Sequence, residues 1–268
     1  MTYRPFLLGS ICAAALALSA STVLADGIAG TLSGDYSNLS LSGISGSADD
    51  WGVSGALEGG TGFEQMKVEL NAGYHNLSSG GLSIDNWDVG GNAFWAPGAG
   101  RLGINVAYRS LSGSGASVDL TNYGAFAEWW ATNAITLAVK GGGLHLKASA
   151  SYLGSGSTNG YYVGGNATGY VMPDLSLSGR IDYTDLGYGL HDTDYTARAE
   201  WLPWEDMPIS ISGGYTYSDI SMTSTHGDTW FVALTYYYNE GGDMSLVDRQ
   251  RSGTLGWSAA VNPVAAAF

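Results

Sequence analysis

Apolar and polar residues alternate with a period of two over much of this chain. Met66, Val68, Leu70, Ala72 and Tyr74 are interleaved with Lys67, Glu69, Asn71, Gly73 and His75, so one face is apolar and the other polar or glycine. Leu102, Ile104, Val106 and Tyr108 alternate in the same way with Arg101, Gly103, Asn105 and Arg109. Leu175, Leu177, Gly179, Ile181 and Tyr183 alternate with Ser176, Ser178, Arg180, Asp182 and Thr184, and Tyr195, Ala197, Ala199 and Trp201 with Asp194, Thr196, Arg198 and Glu200. A period of two marks a β-strand with unlike faces. The pattern predicts twelve strands, at 27–38, 50–59, 64–76, 84–96, 100–111, 118–131, 134–153, 159–172, 174–184, 193–203, 207–218 and 228–239. Their usual length of ~10–13 residues exceeds the ~5–6 of a soluble strand and suits a tilted strand crossing a bilayer. A soluble β-sandwich shares the alternation and is the competing fold.

The aromatic residues decide between the two. Tyr36, Tyr74, Tyr108, Tyr152, Tyr183, Tyr215 and Tyr217 fall where odd-numbered strands end. Trp95, Trp129, Trp130, Trp201 and Trp204, with Tyr236, Tyr237 and Tyr238, fall where even-numbered strands end. Amphipathic rings settle at the headgroup level, and two aromatic girdles separated by an apolar band define a transmembrane barrel. The expected fold is therefore all-β: a closed antiparallel up-and-down transmembrane β-barrel of twelve strands, over 26–239. Polar, Gly/Ser-rich connections are expected after odd strands, at 39–49, 77–83, 112–117, 154–158, 185–192 and 219–227, with mostly short turns after even ones. In bacterial barrels short turns face the periplasm and longer loops face outside.

Two segments strain this scheme. Within 134–153 the apolar phase changes, from Ile135, Leu137 and Val139 to Leu144, Leu146, Ala148, Ala150 and Tyr152, with Gly141, Gly142 and Gly143 at the change. A β-bulge at the glycines keeps one strand; a hairpin there makes thirteen strands and breaks the even parity of bacterial barrels. Residues 240–268 form a tail, expected as a periplasmic extension, whose Asp248, Arg249, Gln250 and Arg251 do not suit lipid. A terminal aromatic assembly signal falls either on Phe268 or on the last strand ending at Tyr238.

The N-terminal 1–25 has another character. Arg4, the apolar run Phe6 to Leu18 and the small residues up to Ala25 form a signal-peptide pattern, too short for a membrane anchor of ~20 apolar residues. The only cysteine, Cys12, lies in this leader, so the mature chain has no disulfide and no thiolate metal site. Cleavage removes one of ten basic residues and none of the 24 acidic ones, making the formal charge of −14 one unit more negative. Such acidity excludes nucleic acid as a partner, because neutralising phosphates needs positive charge. Export with 41 Gly, 17 Tyr and 13% charged residues places the chain in a bacterial outer membrane, with lipid, lipopolysaccharide and the barrel-assembly machinery as its surroundings and a homo-oligomer as one possible state.

The chemistry falls on the polar face. Lys67, Arg101, Arg109, Lys140, Lys147, Arg180 and Arg198 all occupy it, and a cation at mid-membrane on the lipid side costs ~2–4 kcal/mol, so these side chains are expected to line the lumen. Glu69, Asp182 and Glu200 stand two residues from Lys67, Arg180 and Arg198 on the same face. Two interpretations stay open: a self-neutralising ladder in the wall, or charges that select solutes. Small lumen residues such as Ser54, Asn71, Gly103 and Ser178 favour a water-filled channel, neutral to mildly anion-preferring. No enzyme signal rises above this. His145 and Ser149 share a strand face but are two pleats apart, and His191 and His226 belong to connections. No metal-ligand cluster, cofactor motif or triad spacing is present in sequence.

With these features the mature chain resembles the Gram-negative outer-membrane porin-like β-barrels, and its size is similar to that of twelve-stranded channels for acidic sugars and oligosaccharides. The resemblance is architectural and implies passive diffusion of small hydrophilic solutes. Those channels have basic lumens, for which Lys67, Arg109, Lys140, Lys147, Arg180 and Arg198 would be the counterparts; Glu69, Asp182 and Glu200 depart from that pattern. The alternative function is a non-conducting structural or adhesive barrel that works through its outer loops.

Overall fold

The computed structural model describes residues 28–42, 46–151, 154–187, 189–204, 207–221, 225–238 and 244–255; residues 1–25, expected as a signal peptide, and Tyr152 lie outside them. Twelve strands follow one another in the chain: β1 (Ala29–Leu41), β2 (Ser47–Gly60), β3 (Met66–Ser79), β4 (Leu82–Trp95), β5 (Gly100–Gly113), β6 (Ala116–Thr132), β7 (Ile135–Ala150), β8 (Gly154–Met172), β9 (Leu175–Asp185), β10 (His191–Trp201), β11 (Ile209–Ile220) and β12 (Thr225–Tyr238). Each pairs antiparallel with its neighbours in sequence, and β1 pairs with β12 to close the barrel. Closure leaves no strand edge unpaired, which a hydrocarbon environment demands because it supplies no hydrogen-bond partners. A seven-residue helix, α1 (Leu246–Ser252), follows the last strand.

The predicted faces hold on most strands. Leu32, Val53, Val89, Ile104, Val106, Leu177, Ile181 and Leu234 are exposed on the outside, while Glu69, Asn92, Arg101, Asn105, Arg109 and Glu200 are buried inside. Ile104 is 64% exposed while Arg101 on the same strand is 3% exposed. That inversion of a soluble core is stable only if the outer band is wetted by lipid. The barrel has an outer girdle near the ends of the odd strands, built from a repeated cross-strand unit. Tyr36, Tyr74 and Tyr108 donate to Asp49 (2.7 Å), Asp85 (2.7 Å) and Asp119 (2.8 Å) on the following strand, and Tyr215 donates to Asp228. Trp51 packs on Tyr74, Trp87 on Tyr108 and Trp230 on Tyr215. Each unit turns an amphipathic ring to the outer apolar band and its tyrosine hydroxyl to the acidic rim.

Three expectations are corrected. First, β7 is neither bulged nor split at the glycines: its register with β6 and β8 runs unbroken through Gly141, Gly142 and Gly143. The glycines serve close approach instead, since a Cβ on Gly143 would strike the Tyr123 ring outside the wall and one on Gly124 would strike the Tyr162 hydroxyl inside. Register shifts lie instead between Trp130 and Thr132 and between Tyr170 and Met172. Without a bulge, Leu144 is buried inside with Leu146 packed beside its cluster. Lys147 is therefore exposed on the outer face, opposite Asp119, and does not line the lumen. Second, Trp130 and Tyr237 do not join the girdle. Trp130 donates to the inward-facing Glu128 (2.7 Å), and Tyr237 is buried.

Third, two of the polar segments expected as connections after odd strands are mostly continuations of the strands. The predicted 77–83 connection shrinks to Gly80-Gly81, at φ +56° and +88°, and the predicted 112–117 connection to Ser114-Gly115, at +45° and +83°. Two successive positive-φ residues make the primed turn that matches strand twist. Labelling distinguishes the two phases of β7: with single cysteines introduced, a label at His145 should be reagent-accessible and one at Leu144 protected. The reverse order would restore the bulge.

Candidate functional site: the occupied lumen

The two ends of the barrel differ. At the end where even strands turn, α1 enters the lumen. Ser245 caps it, accepting from the Asp248 amide (3.3 Å), while Gly253 closes it with an N–H to the Arg249 carbonyl (2.9 Å). The entry is hung on the β8–β9 turn: the Val247 amide donates to the Pro173 carbonyl (3.1 Å) and the Leu246 amide to Asp174 (3.3 Å). Leu246 packs with Leu202 and Tyr237, and the Arg249 guanidinium lies over the Tyr237 ring. Residues 244–255 of the tail thus sit inside the barrel rather than extending from it.

From there the segment is bonded around most of the circumference. Arg101 on β5 donates to the Gln250 (3.1 Å) and Gly253 (2.9 Å) carbonyls, and Lys67 on β3 to the Ser252 carbonyl (3.0 Å). Gln250 donates to Glu200 on β10 (3.1 Å) and accepts from Tyr170 on β8 (2.8 Å). Arg251 donates to the Thr132 (2.7 Å) and Ile135 (3.2 Å) carbonyls and lies over Trp130 and Tyr170. The Leu255 amide donates to Glu69 (2.5 Å), and its side chain packs on Phe94 and Phe126. A cleft of about 560 Å³ remains between the segment and the β2–β3 turn, lined by Glu58, Phe63, Met66, Lys67 and Ser252.

The wall carries its charges in pairs, both in its middle and at the turn end. Arg109 bonds Asp88 (3.0 Å), Lys140 and Arg180 share Asp182, Arg198 bonds Glu200 (2.9 Å), Lys67 bonds Glu58 (2.5 Å) and Arg101 faces Glu128 (3.9 Å). Tyr162 on β8 reaches across to Asn105 on β5 (3.0 Å). At the other end Leu120, Leu144, Tyr162, Leu186 and Ile220 form an apolar cluster on the β6–β11 side, with Leu190 against it. The tight β9–β10 connection, held by the Leu186 amide on the Leu190 carbonyl (2.9 Å), brings Leu186 and Leu190 to it. The lumen is thus filled at both ends, and its small wall residues make room for the segment and for side chains rather than for an open bore.

Of the sequence-predicted residues, Lys67, Glu69, Arg101, Arg109, Lys140, Arg180, Asp182, Arg198 and Glu200 face the lumen, and Lys147 does not. The predicted neighbours Arg180–Asp182 and Arg198–Glu200 do pair. Glu69, however, turns to the Leu255 amide and Asn92, while Lys67 takes Glu58 from β2. Because all six inward-facing basic residues have an acidic partner, the wall gives no basis for anion preference. Sequence reasoning omitted Glu58, Asp88 and Glu128. Their inward phase was legible from outward neighbours such as Trp87 and Trp129, but their partners depend on register across strands.

Fold and site together define a membrane β-barrel of the outer-membrane type whose lumen is occupied by its own C-terminal segment. No protein-family model and no curated protein matches the sequence. Solved structures match by shape. The translocator domain of the autotransporter NalP from Neisseria meningitidis aligns over 85% of this chain and 95% of its own, at 15% identity and a TM-score of 0.52. The KdgM porin aligns over 76% and 98%, at 13% identity and a TM-score of 0.48, and the β-domain of the Bordetella autotransporter BrkA over 79% and 99%, at 11% and 0.49. At these identities the likeness is one of fold.

Proposed function

We propose that this protein is an outer-membrane channel for small hydrophilic solutes, held closed by residues 244–255. The observation that carries the reading is the chemistry of the plug's contacts. They are mostly hydrogen bonds to carbonyls, amides and carboxylates, each of which water can replace when the segment leaves. Behind them the turn end and the middle of the wall are lined by polar and paired charged groups such as Glu58, Lys67, Asp88, Arg109 and Asp182, as a permeation path requires. The apolar cluster around Leu144 favours the second reading, a non-conducting structural barrel, because water gains nothing by entering there.

A tether separates the two. The Thr31 and Thr254 hydroxyls lie 3.4 Å apart, joining β1 to the plug, and the mature chain has no other cysteine to interfere. In the double variant Thr31→Cys with Thr254→Cys, liposome swelling in small sugars should stop on oxidation and resume on reduction. Swelling that ignores the redox state would remove the plug as the gate. Absence of swelling in the wild type and in both redox states would favour the non-conducting barrel.

A further inference from the structure

On the lumen face of β1–β4, away from the plug, one level of the wall brings together Asp35, Gly52, His75 and Asn86: Asp35 is paired with Gly52, Gly52 with His75, and His75 with Asn86. Asp50 is the next lumen-facing residue on β2. The His75 Nδ1 atom lies 3.3 Å from an Asp50 carboxylate oxygen and 3.6 Å from an Asp35 oxygen, and the three ligand atoms all fall within 4.8 Å of one another. We propose that Asp35, Asp50 and His75 bind one divalent first-row transition ion, of which Zn²⁺ is the working example.

The spacing is the first argument. Ligand atoms ~2.0–2.1 Å from a tetrahedral ion stand about 3.4 Å from one another, and the two nitrogen–oxygen separations here bracket that value. The second is the seat. A Cβ on Gly52 would collide with the His75 ring, so the glycine lets the imidazole lie across β2 towards both carboxylates. The third is charge. Two carboxylates converge on one imidazole, while the neighbouring cation Arg109 on β5 is committed to Asp88 at 3.0 Å; a divalent ion with a neutral imidazole neutralises the group. The fourth is a surplus of oxygen: Asp50 Oδ1 and Asn86 Oδ1, on either side of His75, are buried without a hydrogen-bond partner. Such oxygens suit a bound water or a direct ligand in the remaining position. One nitrogen and two carboxylates favour Zn²⁺ or Mn²⁺ over softer ions. The ligands come from three strands, which is why no spacing in the sequence shows them.

The test uses the full-length protein extracted in detergent, stripped with chelator and confirmed as folded by its heat-modifiable migration. Titration with Zn²⁺ should show one site, and Co²⁺ should give visible absorption bands. His75→Gln and Asp50→Asn should each weaken binding by more than about tenfold, the least expected when a site loses a ligand rather than a supporting contact. His145→Gln and His226→Gln should leave it unchanged. If the site variants do not fold, histidine carbethoxylation of the wild type decides: Zn²⁺ should protect His75, located by mass spectrometry, and leave His226 reactive. A folded wild type without stoichiometric binding, affinity kept within threefold in His75→Gln, or an unprotected His75 would overturn the proposal.

Discussion

Deleting residues 244–255 while keeping 256–268 should raise the total conductance of a reconstituted membrane and its sugar permeability by about 10- to 1,000-fold, through a rise by the same factor in the fraction of time open. The range follows from the closed state being dominant, since the minor state of a two-state protein is populated at roughly 0.1–10% and the deletion makes the open path permanent. Residues 256–268 are kept so that the change is confined to the segment in the lumen. Refolding from denaturant into detergent bypasses the assembly machinery and isolates the effect on the pore. The deletion removes the groups that Arg101, Lys67, Glu69 and Glu200 contact in the segment, so water must hydrate the turn end of the wall. Unchanged permeability in a folded deletion variant would place the barrier elsewhere, at Tyr162 and the apolar cluster above it, and the gating role of the segment would fall.

The fold was legible because lipid imposes one rule on every strand, outward apolar and inward polar, and the rule repeats twelve times. Where the lumen breaks the rule, the pattern misleads. Leu144 and Leu146 are apolar and face inward, against Leu120 and Leu186, so the strand pattern demanded a phase change that the chain does not make. Trp130 and Tyr237 sit at strand ends that suit the girdle, but the lumen claims them. Both rings lie instead under plug arginines, Arg251 and Arg249. The plug itself was illegible. Its partners are side chains and carbonyls on distant strands, and α1 is too short to show a face. Charge pairing was legible only along a strand, where Arg180 finds Asp182 and Arg198 finds Glu200. Lys67–Glu58 and Arg109–Asp88 need the register, which turn geometry sets and alternation alone does not.

Arg101→Ala should destabilise the folded barrel by about 3–5 kcal/mol, the usual cost of breaking a buried charge pair by removing one partner. The acids around it show why. Glu58 and Glu69 stand directly opposite each other on β2 and β3, and both are almost fully buried. Like charges in that position repel. Lys67 answers Glu58, while Glu69 has the Leu255 amide and Asn92. Arg101 faces Glu128 and bonds two carbonyls of the plug, with its guanidinium over Phe94. Its loss removes a cation from a dry, acid-rich end and releases the segment at once. A double-mutant cycle separates those two contributions. In the background lacking 244–255 the carboxylates are hydrated and the carbonyl partners are gone, so Arg101→Ala should cost less there, with a coupling energy of about 0.5–3 kcal/mol. The measurement is urea unfolding in lipid vesicles, followed by tryptophan fluorescence. An equal cost in both backgrounds would mean that Arg101 acts only within the wall and that the segment does not depend on it.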